Sequence, residues 1–233
     1  MIKQLCDKIY EIFISQTKDC EHELMKKIHE LGAYFYTNTI DVSMIESLID
    51  LEQKIVTVKG SHKKYLEEQI LQSLVRESHV ISINKEECDQ ELVNKSDIDE
   101  IVLILVEFAK SLFEYNIPRD SFNNQRKAFG LEILKHLSDG YEIPEAFELC
   151  LMALKSKKKQ LIFAAIDFYE HYVCADDIEL SQEVIEILDK IITQTKDRSV
   201  AVSALNFQVE AGLISEFEAL SRIDEWKEKN DVW

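Results

Sequence analysis

The chain has 233 residues and a formal net charge of −17, with 46% hydrophobic residues but only 5 Gly and 2 Pro. So much apolar material excludes a disordered chain. So few turn residues exclude a fold built on hairpins and long loops, and favour helices joined by short polar connections. Acidic residues outnumber basic ones in each of the segments 1–60, 61–117, 118–180 and 181–233. A phosphate backbone or an anionic bilayer would therefore be repelled, and neither direct nucleic-acid binding nor membrane binding is expected. No apolar run approaches the roughly 20 residues that span a bilayer. Charges interleave with apolar residues over positions 1–7, unlike a signal peptide, so the reading is a cytoplasmic protein. The five Cys contain no CxxC pair. Cys6 and Cys150 fall among apolar helical positions, as buried free thiols of a reducing compartment do.

Apolar spacing is helical nearly throughout. Ile2, Leu5, Ile9, Ile12 and Phe13 mark a first helix, and Leu24, Ile28, Leu31 and Phe35 a second. Asp41 is placed to cap a third helix carrying Met44, Ile45, Leu48, Ile49 and Ile55, with Gly60 as its stop. Ser61 can cap a fourth, with Leu66, Ile70 and Leu74. The least regular stretch runs from His79 to Lys95. Val80, Ile81, Ser82 and Ile83 read as either a helix end or an extended piece, and Asn84 with Glu87 fits the capping box of a short polar helix. The chain reads as a single all-α domain over 1–233, with its weakest internal boundary near 80–95.

Ser96 opens the most apolar helix, from Ile98 to Phe113, expected to be buried on most sides. After Pro118 a helix runs from about Ser121 to Leu137 and stops at Asp139-Gly140. Pro144 suits the first turn of the next helix, with Phe147, Leu151 and Leu154. The lysine-rich run 155–159 joins it to a helix over Leu161–Val173. Ser181, Asp197 and Ser215 (the last with Glu218 as a capping box) open three more, with Gly212 stopping the second and Leu220, Ile223 and Trp226 on the third.

About eleven helices result, with starts recurring roughly every 20 residues and antiparallel pairs roughly every 40. The segment Asp197-Arg198-Ser199-Val200-Ala201-Val202-Ser203-Ala204-Leu205 resembles the second helix of a HEAT repeat, in which Asp opens the helix and Ala and Leu pack on neighbours. Lys159 to Phe168, with Ala164-Ala165, echoes it. The likeness covers about the C-terminal 110 residues by residue pattern and the rest by period alone, and the usual first-helix Pro is missing. It implies a HEAT/armadillo-like α-solenoid of helix pairs. An irregular helical bundle is the structural rival.

Chemistry-bearing motifs are sparse. No HExxH, GxSxG, GxxxxGK[ST] or GxGxxG occurs, so no catalytic, metal or cofactor residues are assigned. Asp19, His22 and His29 come nearest to a metal spacing, and Cys174 after His171 comes nearest to a reactive thiol. The acidic neighbours Asp176 and Asp177 would, however, raise that thiol's pKa. Glu132 and His136, like Asp167 and His171, sit one turn apart and read as ion pairs on solvated faces. The lysine run suits a helix C-terminus. Two features suit partner binding: the consecutive aromatics Tyr34, Phe35 and Tyr36, which cannot all be buried on one helix, and Asp167, Glu170 and His171 beside Tyr169 and Tyr172. The expectation is a non-catalytic protein–protein interaction module with an acidic helical surface, its partner a protein and a basic one suiting the charge. The alternatives are an inhibitor that neutralises a basic partner by charge mimicry, and an enzyme whose site only the fold assembles.

Overall fold

A computed structural model describes residues 1–15, 20–60, 62–86, 92–174 and 180–230. Among them are eleven α-helices and no strand: α1 (Ile2–Ser15), α2 (Cys20–Thr37), α3 (Val42–Val56), α4 (Lys63–Glu86), α5 (Ile98–Glu114), α6 (Asn123–Ser138), α7 (Pro144–Lys155), α8 (Lys159–Cys174), α9 (Gln182–Gln194), α10 (Arg198–Glu210) and α11 (Glu216–Lys229). The chain forms two compact units, Met1–Ile143 and Pro144–Trp233.

Local chemistry sets five of the eleven helix starts. The Asp41 carboxylate accepts from Met44 N at 2.8 Å, Ser181 Oγ from Val184 N at 3.4 Å, Asp197 from Ser199 N at 2.9 Å and Ser215 Oγ from Glu218 N at 3.2 Å. Each satisfies an amide that a helix leaves unpaired. Pro144 opens α7 as expected. Gly212, at φ +68°, closes α10: its N–H donates to Val209 O and that of Leu213 to Gln208 O, a left-handed stop that glycine adopts without strain.

Elsewhere the elements differ from the sequence reading. Helix α3 ends at Val56, one turn before Gly60; Ser61 lies outside the described residues. Of the two readings of Val80–Ile83 the structure takes the helix end, since they lie in the last turns of α4, which continues through Asn84 to Glu86; Glu87 is outside the described residues. Burial decides this: Ile81 and Ser82 are buried, and His79 meets His136 of α6 with tilted rings at 4.7 Å, a tertiary gain that overrides the β-branched preference for extended backbone. Extended backbone comes later, at Leu92–Asn94. There Val93 forms an isolated parallel bridge with Ile40, through Ile40 N to Leu92 O at 2.8 Å and Asn94 N to Ile40 O at 2.9 Å. Asp97, not Ser96, flanks the start of α5. That helix buries Ile101, Leu105, Val106, Phe108, Ala109 and Leu112 but leaves Leu103 exposed, so it is buried on one broad face and not on most sides.

In the first unit α1 packs on α2, α3 on α4 and α5 on α6; α1 also meets α3, α3 meets α5, α2 meets α4, and α4 meets α6. Helices α4 and α6 run parallel. Glu67 of α4 pairs with Arg126 near the start of α6, and His79 meets His136 near their ends. Gly130 lets α5 and α6 approach closely, since a Cβ there would lie 2.9 Å from Ala109 O. The second unit repeats the pattern: α7 packs on α8, α9 on α10, α7 on α9, α8 on α10 and α10 on α11. Lys159 Nζ at the start of α8 lies 3.0 Å from Asp197 Oδ2 at the start of α10. Trp226 of α11 is buried and donates Nε1–H to Thr195 O at 2.9 Å, but Leu220 is 65% exposed, off the packed face where the sequence spacing had put it.

Candidate functional site

The parallel pair α8 and α10 leaves an open groove of about 640 Å³. Phe163 and Glu170 line it from α8; Arg198, Ser199, Val202, Ser203, Asn206 and Glu210 line it from α10. The orientation of α8 follows from its opposite face. Phe168, Tyr169 and Tyr172 are buried against Phe147 of α7, with Phe147–Phe168 edge-on at 5.2 Å and Phe168–Tyr172 at 5.0 Å. Cys150 Sγ donates to Ala165 O at 3.4 Å, and burial pushes both the Cys150 thiol and the Tyr169 hydroxyl well above their ordinary pKa. Such an anchored aromatic layer leaves α8 one rotational setting.

Asp167 and His171 are exposed on the outer side of α8, where His171 meets Tyr172 edge-on at 5.1 Å, and Glu170 is half-buried in the groove wall. The three residues assigned from sequence therefore share one helix surface, although only Glu170 lines the groove. Tyr34 belongs to the first unit. It is half-buried and edge-on to Phe35 at 6.3 Å, while Phe35 is buried with the Arg76 guanidinium 5.4 Å over its ring. The Tyr36 side chain lies outside the described part of the structure, as do Asp19, the Cys174 side chain, Asp176 and Asp177. His22 and His29 are both exposed on α2. The lysine run divides its work: Lys155 pairs with Glu183 at 2.6 Å beside a hollow of about 560 Å³ that Lys157 also lines, whereas Lys159 pairs with Asp197 and lies 5.5 Å over Phe163.

The first unit holds a cluster that the sequence reading missed. Arg126 of α6 and Glu67 of α4 are both fully buried. The guanidinium donates through Nε and Nη2 to the two Glu67 oxygens, the second bond at 2.9 Å, through Nη2 to Asp120 at 2.7 Å and through Nη1 to Asn123 at 3.0 Å. Asn123 also clamps the α5–α6 connection, donating to Ile117 O and accepting from Ile117 N. Lys63 lies 3.8 Å from Asp120. Burial alone would raise the Asp120 carboxyl, but the Phe122 N–H and Arg126 outweigh it and hold the pKa below its ordinary value. Glu52 of α3 is fully buried beside this group, and neither of its oxygens makes a hydrogen bond. The available signal was a charge on an apolar stripe: Glu52 between Leu48 and Ile55, and Arg126 one turn before Phe129.

Among the described residues no three His, Cys, Asp or Glu side chains are grouped to hold a metal ion, and no helix is long and apolar enough to cross a membrane. The fold defines an all-α protein made of helix hairpins. No family model, no curated protein and no solved structure matches the chain.

Proposed function

We propose that the chain is a non-catalytic protein-binding module, a HEAT-like α-solenoid whose groove between α8 and α10 receives a segment of a partner protein. The arrangement that supports the solenoid over an irregular bundle is the same within each unit. Consecutive helices pair in both units, and α4 with α6 and α8 with α10 run parallel, which is how stacked hairpins bury a continuous core while leaving an extended face for partners.

The observation that carries the docking role is the charge polarity of the groove. Because α8 and α10 run parallel, both amide-rich ends fall at the Lys159 and Arg198 end, and both carbonyl-rich ends fall at the Glu170 and Glu210 end. Lys159 and Asp197 offset each other, while Arg198 at one end and Glu170 and Glu210 at the other add to the helix dipoles. Between them Ser199, Val202 and Ser203 leave low walls. The 13 residues of α10 span roughly 20 Å, enough for about six extended residues. A segment entering this groove seats its basic end at Glu170 and Glu210, with Asp167 alongside to steer it.

The test is affinity capture with the wild-type chain, followed by measurement of the captured partner's affinity for Glu170→Lys/Glu210→Lys and Val202→Arg variants of unchanged helicity and melting. Loss of binding in both, and weakening of wild-type binding with salt as charges are screened beyond roughly 8 Å, is expected. Unaltered affinity in both folded variants, or recovery of nucleic acid without protein, overturns the reading.

A further inference from the structure

We propose that Glu52 is a proton-binding site of the fold: it carries its proton in the native protein at neutral pH, and giving it up in mildly alkaline solution loosens the packing of α3 on α4 and α5. The charges around it already balance without it. Glu67 and Asp120 are matched by Arg126 and Lys63. The cations are also engaged: Arg126 uses Nε, Nη1 and Nη2 on Glu67, Asn123 and Asp120, and Lys63 donates to Val56 O at 2.7 Å. An ionised Glu52 would add an uncompensated buried charge whose oxygens accept no hydrogen bond, while the neutral acid avoids that desolvation.

The groups that face Glu52 are known from each side. Lys63 and Glu67 come from α4, Tyr115 from the end of α5, and Arg126 from α6, with Asp120 behind it. Helix α1 meets the other side of α3, where Cys6, Asp7 and Tyr10 face Asp50 and Lys54. Burial first, then Glu67, pushes the Glu52 carboxyl up to about 8 against the pull of Arg126 and Lys63. Tyr115 is pushed up to about 12, chiefly by burial, and stays silent over the same range.

The sign is fixed by linkage. Folding raises the Glu52 pKa from its ordinary 4.5, so between the two values the native state holds a proton that the unfolded chain has released. Stability then falls as pH rises through this window and levels off above it. From pH 5 to 8 the unfolding constant of the wild type should climb by a little under ~10-fold per pH unit, ~400-fold in all, relative to that of Glu52→Gln, which keeps the neutral shape. Glu77, also raised by burial, is common to both proteins and cancels.

Urea unfolding of both proteins from pH 5 to 9 reads this difference. Parallel pH profiles overturn the proposal. Should Glu52→Gln fail to fold, carbon-13 titration of the wild-type glutamate carboxyls decides: a resonance assigned to Glu52 through its backbone connectivities with a midpoint near 8 supports it, and titration of that resonance below pH 6 overturns it. Amide exchange in α3, corrected for intrinsic base catalysis, should accelerate from pH 7 to 9. Unchanged protection of α3 across that range overturns the loosening.

Discussion

Replacing Arg126 tests whether the buried cluster holds the first unit together. Arg126 is fully exposure-free, and it binds Glu67 through two nitrogens, Asp120 through one of these, and Asn123 through the third, with Phe122 under the guanidinium at 5.3 Å. An Arg126→Met substitution keeps much of the stem's volume but leaves Glu67 buried with its countercharge gone, beside the equally buried Glu52. Removing one member of a buried ion pair costs about 3–5 kcal/mol, most of it the desolvation of the charge left behind. Asp120 suffers less, because it is partly exposed and keeps the Phe122 N–H and Lys63. Glu67→Leu should cost less, since the guanidinium keeps Asp120 and Asn123. The double variant leaves no orphan from the pair, so it should cost clearly less than the two singles together, with a coupling of about 2–3 kcal/mol. The assay is urea unfolding followed by circular dichroism at 222 nm, with tryptophan fluorescence reporting the second unit, which holds both Trp of the sequence. Single substitutions costing under about 1 kcal/mol, or a double that costs the sum of the singles, would refute the account of Arg126 as the hub of the cluster.

Two further outcomes follow from particular contacts. Asp197 caps α10 and pairs with Lys159; the Ser199 hydroxyl first, and then Lys159, draws its pKa down to about 2. A carboxyl depressed on folding stabilises above its ordinary pKa and loses that contribution as pH falls through the folded value. Asp197→Ala should therefore lower stability by about 0.5–2 kcal/mol at pH 7, and the gap should close between pH 4 and 2 in acid melts; a gap independent of pH would count against the cap. Trp226 is 4% exposed and hydrogen-bonded, whereas Phe217 on the same helix is 83% exposed. Thermal melts should show Trp226→Ala costing about 3–5 kcal/mol and Phe217→Ala within about 0.5, and equal losses would mean that α11 packs by a different face.

What the sequence determined by itself is the local grammar. Helical periodicity of the apolar residues made the chain all-α, and Asp41, Ser181, Asp197, Ser215, Pro144 and Gly212 punctuated its helices, because capping and chain reversal depend on neighbours within four residues. Cys6 and Cys150, placed on apolar stripes, are buried free thiols. Tertiary packing decided what periodicity cannot encode. Val80–Ile83 took the helical alternative, with Ile81 and Ser82 buried, and the extended backbone lies at Val93, where Ile40 supplied a partner. Leu103 and Leu220 were left exposed, since a stripe says that residues share a face and not what covers it. The groove at Glu170 exists because α8 packs beside α10, the same packing that brings Lys159 to Asp197, 38 positions apart in the chain. The Glu67–Arg126 pair joins residues 59 apart, and Glu52 lies against both. In the sequence each is one charged residue on a helix; only burial beside the others gives Arg126 its partners and leaves Glu52 without one, because the cost of a charge depends on the dielectric and the donors around it.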